Sequence, residues 1–578
     1  MADAMGSVTA ATFLLETLKR SGIRRIYGIA GDSLNALTEA IRRERDFEWV
    51  HVRHEEVAAF AAGAEAHLTK RLTVCAGSCG PGNLHLINGL YDCHRSRVPV
   101  LAIAAQIPTA EIGTNYFQET HPERIFEGCS DYCAVVADPA QLPRMLKIAM
   151  ETAVSRRGVS VLVVPGDVAW QKLKEPAFAL PIAPAPSYVR PSEQQLERVV
   201  RLLDSARRVT ILAGAGCSGG HTELVALARK LKAPIVHAMR GKEFVEYDNP
   251  FDVGMTGLLG FASGYYAMTS CDLLLVLGSD FPYAQFYPDV ATVQVDVRQE
   301  NIGRRTRVDL GVVGGVRETA ELLLERLVEK TSTEHLERAL RHYARTRREL
   351  DELATPGSIR GSVHPQYVAR LVNELAGDDA IFTCDVGTPS IWAARYLRMN
   401  GKRRLLGSFN HGSMANALPQ AIGAQVAFPG RQVVSLSGDG GFTMLMGDFL
   451  TLRQRSLPIK TIVFDNGALG FVELEMKAAG LRETATELDN PNFATMAEAV
   501  GIRGIRVTEP RDLMPALEAA FRFDGPVLVD VVVNRLELSI PPRIEFQQAK
   551  GFGLFALRTV IDGKGAELVE LAHSNLWR

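Results

Sequence analysis

At 578 residues the chain is too long for one hydrophobic core, and a prior of about 150 residues per domain suggests three or four. Its 64 basic and 66 acidic residues leave a formal charge of −2, and no basic tract is interleaved with aromatics, which disfavours nucleic acid as a partner. Eight cysteines without a CxxC pair fit buried thiols in a reducing cytoplasm better than a disulfide framework or a zinc site.

The N-terminal MADAMGSVTAATFLLETLKRSG lacks a basic region before its apolar residues and turns amphipathic at once, so it does not read as a signal peptide. No apolar run reaches transmembrane length. The first block runs to about residue 187, with strands expected in IRRIYGIA, LTVCAG, VPVLAIAA and VSVLVVPG and helices between them. That alternation predicts a parallel sheet covered on both faces. Pro176, Pro181, Pro184, Pro186 and Pro191 then form an extended linker, and Ser192 with Gln195 reads as a capping box.

The second block, 188–338, carries a helix, the strand VTILA and Gly214, Gly216 and Gly219 in G-x-G-x-x-G spacing. A dinucleotide fingerprint also wants an acid after the next strand, but PIVHAM leads into Arg240 and Gly241. NAD is therefore disfavoured, while a differently posed nucleotide or a tight βα turn both stay open. A charged helical segment around 334–354 and the break at Pro356 and Gly357 lead into the third block, 339–536, which again alternates strand and helix. From 537 the pattern changes, with Pro541 and Pro542 followed by two short amphipathic pieces. The expected fold is α/β: three doubly wound parallel-sheet domains and a C-terminal amphipathic tail.

Residues 433–471, VVSLSGDGGFTMLMGDFLTLRQRSLPIKTIVFDNGALGF, read as a βαβ unit with polar groups at both strand ends. Ligands of open parallel sheets bind beyond the carboxyl ends of the strands, where Asp439 and Asn466 would both emerge. A carboxylate, an amide oxygen and a nearby backbone carbonyl suit Mg²⁺ together with a diphosphate. Gly438, Gly440 and Gly441 let the backbone come close, and N–H groups at the start of a helix expected near Phe442 form an anion-binding concavity. An ordinary βα turn with a solvated Asp is the alternative; the paired spacing favours the crevice.

The GDG at 438–440 with the strand end at 465–466 resembles the diphosphate and metal motif of thiamine diphosphate (ThDP) enzymes, and RHEEVAAFAAGAEAH, 53–67, resembles the helix carrying their activating glutamate. YFQETHP, RGKEFVEYDNP, GMTGLLGF and FNHGSMANALPQAIGA extend the likeness to the pyruvate:quinone oxidoreductase (pyruvate oxidase) family along nearly the whole chain. The resemblance implies a pyrimidine-binding domain at 1–187, an FAD-binding domain at 188–338, a diphosphate-binding domain at 339–536 and a membrane-binding tail at 537–578. It assigns Glu55 to the cofactor's aminopyrimidine, and Asp439, Asn466 and the backbone oxygen of Ala468 to Mg²⁺. Met414 would prop the cofactor, Gly438, Gly440, Gly441, Leu469, Gly470 and Phe471 would line it, and Phe117, Gln118, Phe471 and Glu475 would flank the substrate. The family usually has asparagine where this chain has Asp465, which places an extra charge beside the metal.

For FAD the resemblance implies contacts at Thr256, Gly257, Leu258 and Leu259, at Ser279, Asp280, Phe281, Pro282 and Tyr283, and at Asp296. The implied activity is oxidation of pyruvate to acetate and CO₂, with electrons passing to a membrane quinone, ubiquinone or menaquinone. A non-oxidative 2-oxoacid decarboxylase or acetolactate synthase is the first alternative and a catalytically silent assembly protein the second. Phe552, Leu554, Phe555, Leu557, Val560 and Ile561, near Lys550 and Arg558, favour packing on the protein's own body when read alone. The resemblance implies instead a switchable phospholipid anchor. It also implies a homotetramer with ThDP sites between subunits, cytoplasmic and reversibly bound to the inner face of the cell membrane.

Overall fold

The computed structural model describes residues 8–173, 181–182, 187–356, 362–537 and 554–556. In the first domain β1 (Arg25–Gly28), β2 (Glu48–His51), β3 (Thr73–Gly77), β4 (Val100–Gln106), β5 (Tyr132–Val135) and β6 (Val159–Pro165) form a parallel sheet ordered β2-β1-β3-β4-β6-β5. The second comprises β7 (Val209–Ala213), β8 (Ile235–His237), β9 (Asp252–Met255), β10 (Leu273–Leu277), β11 (Ala291–Asp296) and β12 (Leu310–Val313), ordered β12-β11-β10-β7-β8-β9. The third comprises β13 (Ile381–Cys384), β14 (Arg404–Gly407), β15 (Val433–Gly438), β16 (Lys460–Asp465), β17 (Arg503–Val507) and β18 (Val527–Val532), ordered β14-β13-β15-β16-β18-β17.

The α/β class is as expected. Beyond it, the first and third sheets have the same strand order, a repeat of topology that leaves no repeat of residues. The middle order is that of dinucleotide-binding folds. The interior strands β3, β4, β6, β7 and β10 are buried along their whole length, which explains their continuous apolar runs. Strands β2 and β5 were not among those expected. They are the sheet's edges, mostly half-buried, and so lack such runs.

The capping box at Ser192 and Gln195 forms as read from the sequence. The linker prolines Pro176, Pro184 and Pro186 lie outside the described residues. The charged helix, Glu334–Leu353, runs across the expected limit between residues 338 and 339. Leu336 and Ala339 sit in the second domain's core, whereas Arg347 Nη1 donates to Arg395 O of the third domain at 2.6 Å. No helix among the described residues is long and apolar enough to cross a membrane.

The outer domains join through helices Glu55–Thr69 and Ala417–Ala427, both rich in small residues. Ala58, Ala61, Ala62, Ala421 and Ala424 share one core cluster. A Cβ on Gly423 would stand 2.1 Å from the Ala61 carbonyl oxygen, so only glycine permits this approach. All three domains meet at Glu243, whose carboxylate lies 3.1 Å from His67 Nε2 and accepts Arg404 Nε at 2.7 Å. Asp92, on the first-domain helix Pro81–Ser96, accepts Ser408 Oγ of the third domain at 2.7 Å.

Gly423→Val is expected to lower stability by about 1–3 kcal/mol through overpacking, read as an earlier denaturation midpoint. Burial raises the Asp92 carboxyl from 3.8 to about 6. Its folded value lies above its unfolded one, so its contribution to stability is complete below pH 3.8 and is lost as pH rises through about 6. Urea denaturation on either side of that window should therefore show Asp92→Asn gaining on the wild type as pH rises.

Candidate active site

After β13 the chain adds β14 on one side and β15 on the other, so a crevice opens between the carboxyl ends of β13 and β15. Gly438 ends β15 in extended conformation and Asp439 opens the helix Asp439–Met444, three residues before the start expected at Phe442. Asp439 is 3% exposed. Its Oδ1 accepts Gly440 N–H at 2.8 Å, while Oδ2 accepts the N–H groups of Asn466 at 3.1 Å and Gly467 at 2.7 Å and Asn490 Nδ2 at 2.8 Å. Burial pushes its carboxyl up to about 6. Asp439 and Asn466 thus come together at the ends of neighbouring strands, as their spacing implied.

Asn466 Oδ1 accepts Ala468 N–H at 3.2 Å, and Ala468 O accepts Gly470 N–H at 2.9 Å. A carboxylate, an amide oxygen and a backbone carbonyl are hard oxygen donors and fit Mg²⁺. The glycines keep the surrounding space: a Cβ on Gly470 would meet Asn466 Nδ2 at 2.7 Å, and one on Gly441 would meet Asp385 Oδ2 at 2.4 Å and Ala415 N at 3.2 Å. Ala415, next to Met414, holds a left-handed φ of +64°, an uncommon conformation for a residue with a Cβ, and so brings the Met414 segment against the glycine turn. Asp385, just after β13, accepts Ala417 N–H at 2.8 Å, leaves Oδ2 buried without a hydrogen bond, and is pushed up to about 7 by burial.

The second group of expected residues lies in the first domain. Glu55, 5% exposed, opens its helix, and its Oε2 lies 2.9 Å from His85 Nδ1, whose ring stacks on His54 at 4.4 Å between centroids. Glu56 points elsewhere and accepts Asn88 Nδ2 at 2.7 Å, as a helical step of about 100° requires. A Cβ on Gly82 would approach Glu55 Oε1 to 3.0 Å, and one on Gly80 would approach the Gln118 Cβ to 2.9 Å. Gln118 Oε1 accepts the Cys79 thiol at 3.3 Å, and Phe117 beside it is 77% exposed. Among the described residues no hydrogen bond or ion pair joins Glu55 or Gln118 to Asp439 or Asn466 within the chain.

Helix Gly470–Ala478 carries Phe471 and Glu475. Burial and the charge of Glu475 raise the Tyr283 hydroxyl, which places that carboxylate beside the second domain. On its other side Glu473 accepts Arg535 Nη2 at 2.5 Å, and Lys477 Nζ lies 5.5 Å from the centre of the Phe555 ring, which is buried. Of the tail residues singled out, Leu554 and Phe555 alone are described; Phe552, Leu557, Val560, Ile561, Lys550 and Arg558 lie outside the described residues.

In the second domain Gly214 and Gly216 press backbone to backbone on the next turn: a Cβ on Gly216 would meet Gly278 Cα at 2.6 Å. Their immediate role is that tight contact. Thr256–Leu259 follow β9, Ser279–Tyr283 follow β10 and Asp296 ends β11, so the expected FAD segments share the carboxyl edge of one sheet. Thr256 Oγ1 is buried without a partner, and Gly257 takes a φ of +97°. Asp280 pairs with Arg305 at 3.0 Å, and Asp296 Oδ1 accepts Arg298 N–H at 2.9 Å and Asn301 Nδ2 at 3.1 Å.

Near this edge are Arg240, met in the sequence only as the residue standing where a dinucleotide fold wants an acid, and two arginines not singled out there, Arg97 and Arg157. Arg97 and Arg157 end their helices in left-handed conformation, φ +56° and +52°. Burial lowers both, and the charge of Arg298 lowers them further, with Asp296 and Asp280 opposing it at Arg97; burial lowers Arg240 to about 10, with Asp92 and Glu243 raising it and Arg97 and Arg157 lowering it. Arg97 donates to Asn301 Oδ1 at 3.1 Å and Arg240 to Ser96 O at 2.8 Å, and none of Arg97, Arg157 and Arg240 forms an ion pair among the described residues. In the sequence each cation at a helix end looks like a mere dipole partner, and the convergence exists only in the fold.

Three family models match in series: the thiamine pyrophosphate (ThDP) enzyme N-terminal TPP binding domain over residues 8–125, the central domain over 196–323 and the C-terminal TPP binding domain over 385–531. The chain is 37% identical over 580 residues to YdaP of Bacillus subtilis, whose assignment as a thiamine pyrophosphate-containing protein is itself an inference; the match covers 99% of each. It is 31% identical over 543 residues to the pyruvate oxidase of Lactiplantibacillus plantarum, covering 91% of this chain and 89% of that one. Over 566 residues it is 31% identical to the acetolactate synthase large subunit of Parasynechococcus marenigrum, covering 93% and 90%. With matches that run through all three domains in order, the chain belongs to the thiamine pyrophosphate enzyme family.

Proposed function

We propose that the protein oxidatively decarboxylates pyruvate to acetate and CO₂ with ThDP, Mg²⁺ and FAD, and passes the electrons to a membrane quinone. When bound, ThDP supplies the electron sink for releasing CO₂ from a 2-oxoacid, and FAD supplies a two-electron acceptor. Glu55 holds a proton on the aminopyrimidine nitrogen from a dry position at its helix start. Asp439, Asn466 Oδ1 and Ala468 O would hold Mg²⁺, and the glycine turn at Gly440 and Gly441 would leave room for the diphosphate beside it. Met414 supports the ring system. Phe117, Gln118, Phe471 and Glu475 would flank the substrate and gate the site, admitting the water whose oxygen enters acetate.

The observation that carries the oxidative reading is the group of unpaired guanidiniums of Arg97, Arg157 and Arg240 facing the β9–β11 edge, where Thr256 leaves a buried hydroxyl unsatisfied. Converging cations suit the diphosphate of a nucleotide even with the carboxylates of Asp92, Glu243, Asp280 and Asp296 in their field, and the flavin would lie along Thr256–Leu259, Ser279–Tyr283 and Asp296. Acetolactate synthesis is the second reading, favoured by relatives as similar to this chain as the pyruvate oxidase is.

Although Arg53 N–H donates to Asp448 and Asn88 to Ser413 between the two domains, no hydrogen bond within the chain brings Glu55 itself to Asp439 or Asn466, and the site is read as completed by a second copy in a homotetramer. Phe555 packed over Lys477 supports a tail that is docked at rest, and we read its release to a phospholipid surface as the switch. The divisions 1–187, 188–338, 339–536 and 537–578 are read as the functional parts of the chain, with the helix Glu334–Leu353 packed on both the second and third of them.

The purified protein, loaded with ThDP, Mg²⁺ and FAD, is expected to show flavin absorbance and to reduce a dye with pyruvate. Glu55→Gln should lower that rate by about 100-fold or more. Arg157→Ala and Arg240→Ala should shed flavin on dialysis. A colourless protein that condenses pyruvate to acetolactate would overturn the oxidative reading. Removal of residues 555–578 should abolish binding to anionic liposomes; unchanged binding would refute the anchor.

A further inference from the structure

One segment beside the crevice has no part in the chemistry above. After helix Gly470–Ala478 the chain returns over the end of β16: Leu469 N–H donates to Thr486 O at 2.8 Å, Leu488 N–H donates to Gly467 O at 2.9 Å, and Ala468 pairs with Glu487 in an isolated bridge. The return ends at Asn490. Its Nδ2 lies 2.8 Å from Asp439 Oδ2 and 2.8 Å from Asp465 Oδ1, so both amide hydrogens are engaged, one by each carboxylate.

Asn490 is itself held. Pro491 restricts the backbone on its C-terminal side, and two residues on Phe493 N–H donates to Asp530 Oδ2 at 3.1 Å. The Phe493 ring meets Phe442 edge-on at 5.6 Å, and Phe442 belongs to the short helix that Asp439 opens. Asp465 is buried, with Arg506 Nη1 3.7 Å from its Oδ2, and the same guanidinium pairs with Asp530. On Asp439 the three N–H donors at Oδ2 contrast with a single backbone donor at Oδ1. That leaves Oδ1 with a free lone pair.

We propose that Asn490 is a positioning residue of the metal site: by dividing its amide between Asp439 and Asp465 it fixes the Asp439 carboxylate with Oδ1 presented to a divalent cation, while Arg506 supplies the countercharge that lets an aspartate stand at 465. The proposal rests on the reading of this crevice as a Mg²⁺ and ThDP site. It accounts for the departure from the family at 465, because either an aspartate or an asparagine there offers an oxygen to the same Asn490 nitrogen. The charge on Asp465 is then a matter for Arg506, and the geometry at Asp439 is unaffected.

The discriminating property is the choice of metal. Mg²⁺ demands near-octahedral geometry at short distance, whereas Ca²⁺ tolerates longer and irregular coordination. A loosened Asp439 should therefore harm Mg²⁺ more than Ca²⁺. Each metal is titrated calorimetrically into the full-length protein, freed of metal and saturated with ThDP. Asn490→Ala is expected to weaken Mg²⁺ by about tenfold or more, with a smaller loss for Ca²⁺. Asp465→Asn should keep the wild-type preference, and Asp465→Ala, which frees one end of the bridge, should fall between.

An Asn490→Ala protein that melts earlier but keeps the wild-type ratio of Mg²⁺ to Ca²⁺ affinity would overturn the proposal and leave Asn490 a merely structural residue. Should that variant fail to fold, Asp465→Ala decides, and an unchanged ratio there overturns it equally. A wild-type protein that takes up no Mg²⁺ with ThDP would defeat the reading of the crevice itself, a result distinct from failure of Asn490 alone.

Discussion

A carboxylate removed from water must be given partners, and in this protein that demand organises the catalytic end of the third sheet. Asp439 draws backbone donors from its own helix and from the end of β16, together with a side-chain donor from the segment that returns over the crevice. Satisfying one buried acid brings Asn466 and Ala468 alongside it and fixes the turn at Gly440 and Gly441. Burial pushes its carboxyl up to about 6, while the N–H donors of Gly440, Gly467 and Asn490 favour the ionised form.

The outer domains share a strand order but place their chemistry differently. In the third, functional groups stand at strand ends around the topological reversal. In the first, the acid stands at the start of a helix after β2, with His85 and the glycines of the neighbouring helix around it. Helices Glu55–Thr69 and Ala417–Ala427 press together along alanines and glycines, so each domain is held at a fixed distance from the other. The middle sheet has a different order and gathers a different kind of group: arginines contributed by two domains along one edge. Carbon chemistry in the outer pair and electron transfer in the middle is the division we propose.

The sequence disclosed whatever is local. Continuous apolar runs marked the interior strands, and polar residues at the ends of two of them, Asp439 and Asn466, marked the crevice. What required folding stayed hidden. Strands β2 and β5 escaped because edge strands are half solvated, and the helix expected at Phe442 starts at Asp439 because the glycines adopt helical geometry. Asp385, Asn490 and His85 gain meaning only from neighbours far away in the chain, and Arg97, Arg157 and Arg240 look like ordinary helix-end cations until three segments converge. The glycine spacing at 214–219 was legible as a βα turn, and its contact with Gly278 supplies the reason for it.

The central claim is that the groups around Glu55 and Asp439 form one site between two copies of the chain. Subunits carrying Glu55→Gln can be mixed with subunits carrying Asp439→Asn, dissociated and reassembled, and assayed with pyruvate and a dye. A shared site predicts recovery towards about a quarter of wild-type activity, since half of randomly formed dimers are mixed and each mixed dimer regains one of its two sites. Activity no greater than that of either parent variant, in preparations shown to contain mixed dimers, would contradict the account.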